Sequence, residues 1–448
     1  MDKKLVVIGG DAAGMSAASK VRREKPDWEI VVFEKSPHTS YAACGIPYYI
    51  SDQVKDSDSL IARTPEEFIN DYQIKAKTNH EVQQIDPKEN SVLVRNRLNG
   101  LEFWEKYDEL LIATGAAPIL PKLPGMHSAG VFSLSTLQSG IQARAYIDEY
   151  RPQKAIIVGG GYVGIEMAEA LLDRQMEVTL IDRSDHLMRT LDPDMAQLIA
   201  EYMREKGITL FLNESLTKIT PNEENHVNQV ETEKRKLDAD VVILGIGITP
   251  RSGLAEEAGI QLGDAGAILV NSRMQTSVKH IWAAGDCATS YHILKEREAF
   301  HALGTIANKQ GLFAGSNISG VEVEFPGVLG TAITKFMDME ISRTGLSESE
   351  AKAMNLDYVA TTIKSSNFAS YYPGSSPINV KLLARKENKQ IIGCQIVGFT
   401  GSAKRIDTIV AAIMGRLTAF DLAFMDLSYA PPFSGVWDAV QVAARRLL

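Results

Sequence analysis

Two stretches decide how this 448-residue chain is read: KLVVIGGDAAGMSAASKVRR, Lys4–Arg23, and KAIIVGGGYVGIEMAEALLDR, Lys154–Arg174. Each is a short apolar run, a glycine-rich turn and an amphipathic stretch of helical period, which together spell strand, loop and helix. A second apolar run follows each of them, WEIVVFEK from Trp28 and EVTLIDRS from Glu177. The two units lie about 150 residues apart, far beyond the roughly 20–50 residue period of a solenoid. They are a duplicated functional unit. Strand–turn–helix–strand units of this kind predict two doubly wound α/β domains with parallel sheets.

The loops point to dinucleotides. Gly159, Gly161 and Gly164 complete GxGxxG, in which the glycines allow a tight turn, close backbone approach to a pyrophosphate and tight helix–strand packing. The helix that follows offers free N–H groups and a positive dipole end to the anion. Asp182 ends the next strand, where a carboxylate accepts from a ribose 2′-OH and repels a 2′-phosphate, which leans towards NADH. Arg183 and Arg189 stand close by and keep NADPH open. In the first loop Gly9 and Gly14 are in place, but Asp11 takes the middle position. Aspartate tolerates positive φ better than most residues, and its charge beside a pyrophosphate requires it to point away or to cap the helix. Glu34 ends the following strand and supplies the ribose carboxylate. An ordinary β–turn–α with convenient glycines is the plainer alternative. Two dinucleotide sites in one chain suggest electron transfer, most economically through a flavin between NAD(P)H and a sulfur.

The bulk properties limit the alternatives. At this length two or three domains are expected, because single cores stop growing near roughly 250–300 residues. The formal charge is −9 without long runs of either sign, so no nucleic-acid partner is expected. The N-terminal apolar run is too short to span a bilayer and lacks a cleavage region, which reads as cytoplasmic with no membrane partner. The cysteines are Cys44, Cys287 and Cys394, without CxxC spacing, so neither a disulfide framework nor a zinc site is expected. From about Phe325 the texture changes to antiparallel strands, a hairpin near Glu387–Lys389 and amphipathic helices, a third, α+β domain.

Cys44 lies in SYAACGIPYYI, Ser40–Ile50, where a buried small hydrophobe, half of a disulfide and a lone reactive thiol compete. Pro47 suggests a turn into a helix with proline in its first turn. A thiol there is expected to have a lowered pKa from the positive helix end. Cys287 and Cys394 suit a buried structural role better.

The order VVIGG…AAG, a single-cysteine segment, IATGAAP, GGGYVGIEMAE, GIGITP, AAGDCA and YAPPF resembles the pyridine nucleotide–disulfide oxidoreductases, and within them the single-cysteine branch of coenzyme A-disulfide reductases. The resemblance runs from Leu5 to about Asp438. It implies an FAD domain from 1–118 and 247–322, an NAD(P)H domain from 119–246 and a C-terminal dimerisation domain from 323–448. It implies FAD pyrophosphate on Gly9 and Gly14, adenosine ribose on Glu34, isoalloxazine near Cys44, and Gly115 and Gly247 in the cofactor set. Asp286 matches the carboxylate that bonds the ribityl–phosphate region, with a helix N-cap as its simpler role. Tyr162 matches the aromatic that lies over the flavin until nicotinamide displaces it, with plain packing as the alternative. Glu166 is placed on the first turn of the NAD helix, where it complements the dipole.

The implied reaction is reduction of coenzyme A disulfide by NAD(P)H through a Cys44–CoA mixed disulfide, thiolate exchange needing a stabilised leaving sulfur. Tyr371 and Tyr429 are the implied proton or hydrogen-bond donors, reaching across a homodimer interface to the partner's Cys44. Tyr372 competes with Tyr371, and YAPPF also suits an interface anchor. Lys20, Arg22, Arg23 and Arg63, with Ser40 at the head of the cysteine segment, are candidate CoA contacts. A solvated helix face explains the first three equally well. Persulfide or polysulfide reduction with bound CoA is the second reading. It is weakened by the want of room after Val436–Asp438 for the rhodanese domain that such relatives often carry. A water-forming NADH oxidase with a Cys44 sulfenic acid is the third, disfavoured by Ala12 where oxidases and peroxidases carry histidine. A redox sensor without turnover is the alternative from another class.

Overall fold

A computed structural model describes residues 3–448. Its first sheet runs in the order Ile281–Ala283, Glu109–Ile112, Lys4–Ile8, Glu29–Phe33, Lys75–Lys77, every pair parallel. The second repeats the design: Thr209–Phe211, Glu177–Ile181, Lys154–Val158, Val241–Leu244, Val131–Ser133, again all parallel. Leu5–Ile8 and Ala155–Val158 are buried without alternation, as strands covered on both faces must be. In both sheets the chain order reverses beside the strand that feeds the glycine loop, so the loop opens into a crevice at the strands' carboxyl ends. The edge strand Val131–Ser133 comes from ahead of its unit and has no counterpart in the sequence pattern.

Each parallel sheet carries a three-stranded antiparallel annex, His80–Asp86, Ser91–Asn96, Glu102–Lys106 and Leu216–Pro221, Val227–Thr232, Lys236–Asp238. The C-terminal part is a five-stranded antiparallel sheet in the order Ala332–Phe336, Met339–Gly345, Ile391–Gly398, Pro377–Arg385, Tyr358–Ser366. The expected hairpin joins Pro377–Arg385 to Ile391–Gly398. Helices Ile406–Met414 and Ala439–Arg445 cover this sheet with Ile406, Ile409, Ile413, Val440 and Ala444 in its core. The fold is therefore α/β, two doubly wound units followed by an α+β one.

Polar side chains tie the C-terminal sheet to both preceding units. Glu169, on the helix Tyr162–Asp173, binds the Lys335 ammonium and accepts from the Met337 N–H at 2.8 Å. Glu350 accepts from Lys295 at 2.8 Å, from Arg343 at 3.2 Å and from the Ser347 N–H at 2.9 Å. Burial alone would raise its pKa, but the Arg343 charge and the Lys295 and Ser347 hydrogen bonds carry it down to about 2. A depressed carboxylate stabilises the fold fully above its ordinary value and loses that contribution as pH falls through the folded one. On the order of 3 kcal/mol should therefore disappear between about pH 4.5 and 2. Melting curves from pH 6 to pH 3 should show a steep loss of stability that Glu350→Gln flattens; equal slopes would disprove the assignment.

Candidate active site

The two glycine loops are built alike. A Cβ on Gly14 would sit 1.9 Å from the Gly9 carbonyl oxygen, and one on Gly164 1.9 Å from that of Gly159. Only glycine lets each helix, Ala12–Glu24 and Tyr162–Asp173, start directly against its strand. The carboxylates that end the next strands are clamped in the same way. Glu34 accepts from the Gly10 and Ser36 N–H groups, both at 2.8 Å. Asp182 accepts from Gly160 at 2.6 Å and from Ser184 at 2.7 Å. Each acid is thereby held at the rim of its crevice.

The first crevice is a cavity of about 710 Å³ lined by Gly9, Asp11, Glu34, Tyr41, Gly115 and Asp286 among others. Asp286 Oδ1 is buried with no hydrogen-bond partner, and burial pushes this carboxyl up to about 6. Asp11 takes the N-cap position without capping the helix. Its Oδ1 instead accepts from the Tyr41 N–H at 3.2 Å, so the side chain turns away from the helix end. Burial, then the Glu34 charge, pushes its carboxyl up to about 7. An orphaned carboxylate, a clamped glutamate and an open helix N-terminus fit a dinucleotide rich in hydroxyl groups, as FAD is. The second crevice, about 430 Å³, is lined by Gly159, Gly161, Tyr162, Asp182, Arg189 and Gly247 among others. No atom lies within 4 Å of where a Gly161 Cβ would be, leaving room for a ligand against the backbone. Tyr162 lies at the mouth, its hydroxyl 3.4 Å from Thr190 Oγ1.

Cys44 sits in the turn Ala43–Gly45, immediately before the short helix Ile46–Ile50 with Pro47 in its first turn. It is exposed, whereas Cys287 and Cys394 are buried, and none of the three is in a disulfide. The expected lowering of its pKa is overturned. Partial loss of solvent around the sulfur, then the charges of Glu166, Asp286 and Asp11, push the thiol up. A helix of five residues supplies too little dipole to offset three carboxylates. Glu166 is also displaced from its expected place: no acid occupies the first turn of its helix. It stands in the second turn, accepts from Thr334 Oγ1 at 2.8 Å, and burial raises its pKa. Nothing in the local pattern announces Thr334, which arrives from the C-terminal sheet.

Ser40 has φ 45°; its N–H donates to the Gly10 carbonyl at 3.0 Å and its own carbonyl accepts from Ala62 at 2.8 Å. It pins the cysteine segment to the first loop through its backbone. Lys20 is paired with Glu24, and the Arg22 guanidinium already donates to the Pro26 and Gln73 carbonyls. Arg23 is exposed, and Arg63 lies over the Tyr72 ring at 4.6 Å. Of the four cations, Arg23 and Arg63 therefore keep the freer charge. Tyr371 and Tyr429 are 75% and 46% exposed. They stand side by side, Tyr371 raising the Tyr429 pKa, and neither lines the crevices of its own chain. Among the described residues no group of three or more His, Cys, Asp or Glu side chains is placed to hold a metal ion. No helix among them is long and apolar enough to cross a membrane.

Comparison with known proteins identifies the family. A family described as pyridine nucleotide-disulphide oxidoreductase matches residues 3–308, and its dimerisation domain matches 331–440. An NAD(P)H coenzyme A polysulfide/persulfide reductase of Pyrococcus horikoshii is 42% identical over 100% of this chain and 99% of its own length. A coenzyme A disulfide reductase of Staphylococcus aureus is 34% identical over 98% of each. An engineered water-forming NADPH oxidase, a variant of the Lactobacillus brevis enzyme bound to NADPH, superposes with a TM-score of 0.93 at 28% identity, covering 99% of this chain and 98% of that one. Its five substitutions are glycine to alanine; eighteen positions on, aspartate to alanine; then directly alanine to arginine and methionine to serine; and five further on, proline to arginine. The persulfide reductase is matched over nearly its whole length, so its name does not go with an appended domain. The weight that the want of room for a rhodanese domain placed against the persulfide reading is removed accordingly.

Proposed function

From the premise that this chain belongs to the pyridine nucleotide–disulphide oxidoreductase family, we propose that it reduces a sulfur–sulfur bond carried on coenzyme A, with coenzyme A disulfide as substrate. It is an NAD(P)H-dependent flavoprotein of the disulfide reductase type. The observation that carries the proposal is the position of Cys44. Of the three cysteines it is the exposed one, and it directly follows Ala43 on the wall of the first crevice. It feels the charges of Glu166, on the helix that leaves the second glycine loop, and of Asp286 and Asp11 in the first crevice.

Gly9, Gly14, Glu34, Gly115 and Asp286 would hold FAD, and Gly159, Gly161, Tyr162, Gly164, Asp182 and Gly247 the nicotinamide nucleotide. Bound FAD supplies the route for two electrons from NAD(P)H to sulfur. At rest Cys44 carries CoA as a mixed disulfide. Two electrons and a proton release that CoA as thiol and leave the Cys44 thiolate. The thiolate attacks one sulfur of CoA disulfide, re-forms the mixed disulfide and expels the second CoA thiolate, which is protonated. A thiolate whose pKa is raised is the stronger nucleophile once formed. Tyr371 and Tyr429 complete the site across a homodimer, donating towards the partner's Cys44. Exposed Phe420, Phe424, Phe433 and Trp437 in the same C-terminal segment as Tyr429 suit a covered interface. Three unpaired cysteines agree with a reducing, cytoplasmic setting.

A second reading, CoA persulfide as substrate, is favoured by the 42% identical relative. The Cys44 thiolate would attack the CoA-bound sulfur of the persulfide, forming the mixed disulfide while the S–S bond breaks and the outer sulfur leaves as hydrosulfide. Intact-mass measurement before and after reductant tests the core of the proposal: a CoA-sized loss confined to Cys44 is expected. A gain of one oxygen on Cys44 without CoA would favour the oxidase reading, as Ala12 does not. Steady-state turnover with CoA disulfide, CoA persulfide, polysulfide and O₂ then ranks the substrates. Absence of any thiol product excludes the proposal.

A further inference from the structure

We infer that Arg183, Ser184 and Arg189 form a binding site for the 2′-phosphate of NADPH, so that the second crevice holds the 2′-phosphorylated nucleotide more tightly than the plain one. The inference rests on the second crevice being the NAD(P)H site and names which nucleotide it selects.

Asp182, the residue whose sequence position leans towards NADH, is half-buried and held by the N–H groups of Gly160 and Ser184 at 2.6 and 2.7 Å. Two donors on one carboxylate delocalise its charge into the loop and blunt its repulsion of a neighbouring anion. The other acids nearby are engaged by partners of their own. Glu214 on the cavity wall accepts from Arg235 at 2.8 Å and from Thr232, and Asp185 is paired with His186 at 2.6 Å. Arg183 and Arg189 both line the cavity and are exposed. Neither forms a salt bridge or side-chain hydrogen bond among the described residues. Two free guanidiniums and a serine hydroxyl lining one cavity match a phosphate dianion in charge and in donor type.

An acid–base–serine tripeptide is not itself diagnostic, since the first crevice repeats it as Glu34, Lys35 and Ser36. There, however, burial pulls the Lys35 pKa down, and Arg251 is turned to the Thr114 carbonyl at 3.5 Å. Freedom of the cations separates the two sites. The engineered NADPH oxidase makes the same point independently. Its glycine-to-aspartate spacing equals that from Gly164 to Asp182, and counted from that pair the arginine, serine and arginine introduced there coincide in type and spacing with Arg183, Ser184 and Arg189. By that spacing three of its five engineered residue types are already present in this chain, and Gly164 and Asp182 match the glycine and aspartate of the parent enzyme that the engineering replaced with alanine.

The test is calorimetric binding of 2′,5′-ADP and 5′-AMP to the flavin-loaded dimer, with no turnover required. The intact protein should bind 2′,5′-ADP about tenfold more tightly, an advantage that shrinks between low and high salt as exposed ion pairs are screened. Arg183→Gln with Arg189→Gln should abolish the advantage, and each single variant should remove part of it. A melting curve and flavin content verify that the variants are folded. Equal affinity for both nucleotides in the intact protein, or an advantage that survives the double substitution, overturns the inference while leaving the crevice as the nucleotide site. Failure to bind either nucleotide overturns the assignment of the crevice itself.

Discussion

Cys44→Ser should lower thiol release from CoA disulfide by at least about 1000-fold, because a serine hydroxyl cannot take part in thiolate–disulfide exchange at neutral pH. No other sulfur can replace it. Cys287 and Cys394 are 0% and 1% exposed, and burial pushes both thiols up. The protein should stay yellow, since the Cys44 side chain is exposed and its loss removes no core packing. NAD(P)H should still bleach the visible absorbance in a single turnover, and the CoA-sized mass should vanish. Measurement of thiol product, visible spectrum and intact mass on one preparation checks all three. Reduction of CoA disulfide by the serine variant at the unaltered rate would refute the mechanism.

Lys381→Met should give the largest loss of stability. The Lys381 ammonium meets Glu348 at 2.5 Å, Asp194 at 2.8 Å and Asp192 at 3.3 Å, with its side chain 5% exposed and that of Asp192 2% exposed. Burial pulls a lysine pKa down, yet the hydrogen bonds with Asp194 and Glu348 and the Asp192 charge carry this one above its ordinary value. The cluster joins the start of the helix Pro193–Glu205 to the C-terminal sheet. Removing the cation leaves a buried carboxylate against two acids, which costs on the order of 3–5 kcal/mol. The urea midpoint should fall correspondingly, and adding Asp192→Asn should recover part of the loss because it removes the stranded charge. An unchanged midpoint, or a double variant weaker than the sum of both single ones, would rule out the cluster as an interdomain pin.

How much of this was legible beforehand follows from the range of the forces involved. Gly14 and Gly164 could be recognised because the contact that requires glycine is made to a carbonyl five residues earlier, in the same loop. Glu34 and Asp182 were found for the same reason: a strand, a loop and a helix bring each acid back to its own glycines. The lone character of Cys44 needed only its distance along the chain from Cys287 and Cys394. The α/β class and the change to an antiparallel sheet after Phe325 were carried by local hydrophobic patterning, which is set by neighbours along the chain. By contrast, the strand Val131–Ser133 is three residues long and pairs with Val242–Leu244 across more than a hundred positions, so no window of sequence contains its signal.

The electrostatics were the least legible part. Local sequence leaves Arg22 open between a phosphate ligand and a solvated helix face, and it is the fold that brings the Gln73 carbonyl to it. Local sequence makes Glu166 a helix-end charge, and it is the fold that brings Thr334 to it. The cysteine environment shows the division most plainly. Residue order establishes that a thiol precedes a proline-capped turn between two nucleotide loops, because covalent spacing dictates what a few consecutive residues do. Folding establishes that this thiol faces carboxylates from Asp11, Glu166 and Asp286, and that Arg183 and Arg189 flank a clamped aspartate, because charge and burial act through space between segments that the chain keeps far apart.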